Sequence, residues 1–90
     1  MLLFILTREG YEDVRSLVAT NVVWVNSGVL SNAEITDLRS RGIDLTCFAH
    51  PIDWRDGDQM DNSVDTIAEH HPGERIWMEI RATLDYPLHT

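Results

Sequence analysis

Three apolar runs, each breaking into a polar, turn-prone segment and then a helical pattern, constrain this chain more than any other feature. Leu2–Leu6 gives way to Thr7-Arg8-Glu9-Gly10, Val22–Val25 to Asn26-Ser27-Gly28, and Ile43–Phe48 to Ala49-His50-Pro51-Ile52-Asp53. Repeated strand-loop-helix units are the pattern of an α/β domain. Open parallel sheets place ligands at the carboxyl ends of their strands, so the three polar segments mark the rim to search.

Residues 2–7 carry bulky apolar side chains without alternation, as a strand buried on both faces requires, and are expected at the centre of the sheet. Gly10 is expected to open a helix over about 11–20, with Tyr11, Val14, Leu17 and Val18 forming its apolar stripe. A second strand covers 22–26. The second helix has the strongest local signals. Ser31 and Glu34 match a capping box, Leu30 and Ile35 a hydrophobic staple, and Gly42 a left-handed stop after Arg39 and Arg41. Only Ala33, Ile35 and Leu38 are apolar within it, which predicts a surface helix with a narrow buried edge.

The third strand spans 43–48. Asp53–Asp61 reads as an exposed acidic loop, followed by a helix over about 62–71 capped by Asp61 or Asn62, with Val64, Ile67 and Ala68 inward. Pro72-Gly73 ends it. In the last strand, 74–83, Ile76, Met78, Ile80 and Ala82 alternate with Arg75, Trp77, Glu79, Arg81 and Thr83, so it has one wetter face and belongs at an edge. Residues 85–90 read as an irregular tail. The order β-α-β-α-β-α-β, closed by right-handed crossovers, gives a single α/β domain with a mainly parallel four-stranded sheet and flanking helices. The alternative is a two-layer α+β domain whose last strand runs antiparallel.

Ninety residues make one domain with little area to spare for a deep cavity. Seven basic against fifteen acidic residues give a formal charge of −8, which disfavours nucleic acid and anionic membranes as partners. All seven bases are arginine, which we attribute to the codon usage of a GC-rich genome. The lone cysteine, Cys47, excludes an intrachain disulfide and fits a reducing, cytoplasmic setting. The apolar start lacks a basic n-region and is too short for a secretory leader, and no stretch reaches the length of a membrane span.

Chemistry-bearing motifs are scarce. Without lysine there is neither a P-loop nor Schiff-base chemistry, and no G-x-G-x-x-G or G-x-S-x-G pattern occurs. Asp53, Asp56, Asp58 and Asp61 resemble an EF-hand only superficially, because aligning Gly57 to the sixth position puts Ile52 and Trp54 where acidic ligands belong. Adjacent His70 and His71 point about 100° apart on a helix and do not chelate one ion from a common face; they suit the helix dipole instead. Cys47 reads as a small core hydrophobe. No metal and no cofactor is expected.

Two functional readings follow. In the first, a small acidic domain binds another protein, or its own copy as a homodimer, through the last strand and the acidic loop. Trp54, Trp77, Glu79 and Arg81 are its candidate interface residues, since tryptophan is a favoured interface anchor and Trp24 belongs to the core. In the second, Arg8, Glu9, Asn26, Ser27, His50 and Asp53 converge on the strand-end rim as a small-ligand-binding or enzymatic site, His50 being able to exchange protons near neutral pH. The absence of catalytic motifs favours the first.

Overall fold

The computed structural model describes residues 1–80. Four strands form one sheet: β1 (Leu2–Ile5), β2 (Val22–Val25), β3 (Leu45–Cys47) and β4 (Ile76–Glu79), in spatial order β3-β2-β1-β4. Every pairing is parallel, with Leu2 opposite Val22 and Ile76, and Val23 opposite Leu45. The expected parallel α/β sheet is therefore present, β4 lies at an edge of it among the described residues, and the antiparallel alternative is excluded. Arg81 and the expected tail at 85–90 lie outside the described residues.

The four residues of β1 are all 0% exposed, which explains their lack of alternation. On one face, Leu3, Ile5, Val23, Val25 and Leu45 pack with Tyr11, Val14, Val18 and Leu38 from the first two helical segments. On the other, Leu2, Phe4 and Trp24 pack with Ile67, and with the half-buried Met60 and Val64, from the third helix. The chain steps outward from β1 to β3 across one face and returns to β4 across the other. Crossovers of one hand require that change of face when the direction of winding reverses. The reversal leaves β1 and β4 adjacent at a topological switch point.

The first and third helices depart from expectation at their starts. The first, α1 (Arg8–Val14), begins earlier than expected, because the side chain of Thr7 accepts from the Gly10 N–H and caps it. A 3₁₀ segment, Arg15–Thr20, follows it in place of a continuous helix. The change of winding re-aims the side chains after Val14, so Val18 is buried while Leu17 is 43% exposed. In α2 (Asn32–Ser40) the capping box at Ser31 and Glu34 forms as expected, and Gly42 takes φ +82° beyond the last turn. Leu38 alone is buried within it, and Arg39 donates to the Leu45 carbonyl to hold α2 on β3.

The largest correction concerns the acidic loop. Residues 57–61, expected as coil, form the first turn and more of α3 (Gly57–His70). Asp56 caps it, accepting from the Asp58 and Gln59 amides while Gln59 Nε2 donates back at 3.0 Å. Ser63 and Ile67 are buried, whereas Ala68 faces solvent. Beyond Ile76, which packs on the core, the expected inward row of β4 is not covered: Met78 is 49% and Ile80 38% exposed.

Candidate functional site

Because β1, β2 and β3 run the same way, all six strand-end candidates lie at one end of the sheet. Their side chains then part company. Arg8 turns toward α2, donating to Glu34 Oε1 and Oε2 at 2.8 and 2.9 Å and to the Val29 carbonyl at 3.1 Å. It also pairs with Glu12 and lies over the Tyr11 ring. The Arg8 guanidinium holds the Glu34 carboxyl well below the usual range, at about 2, with the Ser31 amide adding to the effect; Glu34 in turn raises the Arg8 pKa. Arg8 is thus spent on joining α1 to α2. Glu9, in the first turn of α1, is exposed.

Asn26 is buried and its amide is consumed by backbone. Nδ2 donates to the carbonyls of Leu6 (3.2 Å) and Ile52 (2.9 Å), and Oδ1 accepts from the Ile52 amide at 2.8 Å. It pegs the 48–56 connection to the ends of β1 and β2. Half-buried Ser27 lines a recess of about 190 Å³ with Gly28, Leu30 and Cys47, whose thiol burial pushes upward in pKa, away from reactivity.

His50 is exposed on the opposite side of the sheet. It borders an open depression of about 430 Å³ floored by Phe48 and Ile52 and walled by Gln59, Ser63 and Thr66 of α3. It makes no hydrogen bond or ion pair with Glu9 or Asp53. Asp53 is occupied locally: its Oδ1 accepts from the Arg55 amide and its own N–H donates to Gln59 Oε1. The strand ends share a rim, but the six residues do not build one pocket. Among the described residues, no three His, Cys, Asp or Glu side chains are grouped to hold a metal ion, and no helix is long and apolar enough to cross a membrane. His70 and His71 pack their rings on Trp24 at 5.4 and 5.9 Å.

The candidate interface residues are arranged differently. Trp54 folds back onto the core beneath Arg55, whose guanidinium sits 4.5 Å from the indole centroid. Trp77 is 52% exposed, and its Nε1 donates to Glu79 Oε2 at 2.9 Å, which fixes the indole along the outer face of β4. The Glu79 carbonyl accepts from Leu6, and its backbone crowds Gly10, so the switch point between β1 and β4 is closed by packing. Met78 and Ile80 add apolar surface on the alternate face. Sequence reasoning found Trp77 but missed Met78, because alternation shows which face a residue takes and not whether a helix reaches far enough to cover it. No family model matches the chain, and neither a curated protein nor a solved structure does.

Proposed function

We propose that this protein is a small acidic protein-binding domain that engages its partner through the outer edge of β4. The observation that carries the reading is the run Trp77, Met78 and Ile80, 52%, 49% and 38% exposed, on a strand paired on one side only among the described residues. An edge strand offers unpaired backbone N–H and C=O groups, and strand addition uses them for affinity while flanking side chains set specificity. The charge of −8 turns away nucleic acid and anionic membranes and leaves a protein surface as the partner. The cytoplasm suits a chain with one thiol and no disulfide.

The test is site-specific photo-crosslinking. A benzoyl-phenylalanine at position 77 should trap protein adducts in the native host, whereas the same probe at Ser40, exposed on α2, should not. Equal labelling from both positions, or none from 77, would refute the edge as the interface. A small-ligand role rests on the depression beside His50. It is the weaker reading, because Arg8 is engaged by Glu34 on the other side of the sheet and the Asn26 amide is consumed by the backbone of Leu6 and Ile52.

A further inference from the structure

We infer that the partner is a second copy of this chain, added antiparallel across β4 with the two-fold axis at Trp77; this rests on the edge-binding reading above. The backbone decides which residues can pair. Leu2 donates to the Arg75 carbonyl at 2.8 Å and Leu6 to the Glu79 carbonyl at 3.1 Å, so the odd-numbered residues of β4 turn their backbone groups toward β1. In a parallel ladder the intervening residues then point theirs away. Ile76 and Met78 therefore present their N–H and C=O outward, and an incoming strand must bond to them.

The side chains select the register. With Trp77 opposite Trp77 of the second copy, Ile76 falls opposite Met78 and Arg75 opposite Glu79, each pair occurring twice about the axis. The Ile76–Met78 pairs are the hydrogen-bonded ones and supply about four new backbone bonds. Trp77 falls at the non-hydrogen-bonded position, where cross-strand side chains come closest and aromatic pairs stabilise.

Charge complements this arrangement. Every other described arginine has its guanidinium engaged: Arg8, Arg15 and Arg41 in ion pairs, Arg39 on the Leu45 backbone carbonyl, Arg55 on Trp54. Arg75 is exposed and forms no ion pair among the described residues. Glu79 uses Oε2 for the Trp77 indole and keeps Oε1 for Arg75 of the second copy. Moving the axis to Met78 loses both ion pairs and sets each indole against Glu79, while moving it to Ile76 sets Arg75 against Trp77 and leaves Glu79 without its arginine. Only the axis at Trp77 matches apolar with apolar and acid with base.

The experiment is a charge swap read by sedimentation velocity over a concentration series. The wild type should populate a dimer, and Arg75→Glu or Glu79→Arg alone should weaken it by about tenfold or more, because each reversal converts two attractive pairs into two repulsive ones. An equimolar mixture of the two variants should regain wild-type association as a heterodimer, since every acid then faces a base. Met78→Pro, which removes an outward N–H and leaves the β1 ladder intact, should abolish the dimer while circular dichroism stays native. A dimer indifferent to these changes, or single variants that fail to complement, would overturn the register. A wild type monomeric at every concentration would overturn the second copy as partner. In that case adducts from position 77 to a different protein would leave the edge reading standing, and their absence would remove both.

Discussion

At the scale of single residues, polar side chains at the strand ends act chiefly as joints. Asn26 illustrates this, since its buried amide meets two carbonyls and one N–H from segments far apart in sequence. Asn26→Ala strands the Ile52 N–H and the Leu6 carbonyl, and should cost about 2–3 kcal/mol. Urea unfolding should show a lowered midpoint with an unchanged slope. Glu34 is a second joint, with a carboxyl lowered from 4.5 to about 2 by Arg8 first and the Ser31 amide second. A depressed acid contributes stability that is complete above its unfolded value and disappears as pH falls through its folded value, so this contribution fades between pH 4.5 and about 2. NMR titration of the Glu34 carboxyl should give that low midpoint. Arg8→Gln should raise it toward the ordinary value, whereas Ser31→Ala, which keeps the backbone N–H that Glu34 accepts from, should move it little.

At the scale of elements, helix starts were legible where a cap was followed by amphipathic periodicity and illegible where it was not. Ser31 and Glu34 announced α2 correctly. Asp56 and Gln59 carry the same kind of signal for α3, but the polar run between Asp53 and Asp61 resembles a loop, and only the packing of Met60 shows that it is helical. Gly10, expected to open the helix, lies inside α1 for another reason. A Cβ there would lie 2.9 Å from the Glu79 carbonyl oxygen, so glycine lets α1 approach β4. Gly10→Ala should destabilise by about 1–3 kcal/mol by overpacking, although the same change in an open helix is favourable. Gly57→Ala, at the start of α3 with nothing within 4 Å, supplies the contrast and should stabilise by about 0.5–1 kcal/mol in thermal unfolding.

At the scale of the whole molecule, the winding reverses after β3 and brings β4 to the free side of β1. Pairing through β4 would extend the sheet from four strands to eight, bringing the two Trp77 side chains together on one face and Met78 against Ile76 of the second copy on the other. It would also cover the apolar edge exposed among the described residues. Hydrophobic runs, caps and alternation determine strand identity, the central place of β1, the bounds of α2 and the edge position of β4, because each depends on neighbours within a few residues or on one pattern of burial. Packing alone decided the rest: which face Arg8 and His50 take, that Asn26 closes on Ile52, and that no helix among the described residues covers Met78. Those outcomes depend on where chain segments tens of residues apart meet, and local periodicity carries no record of that distance.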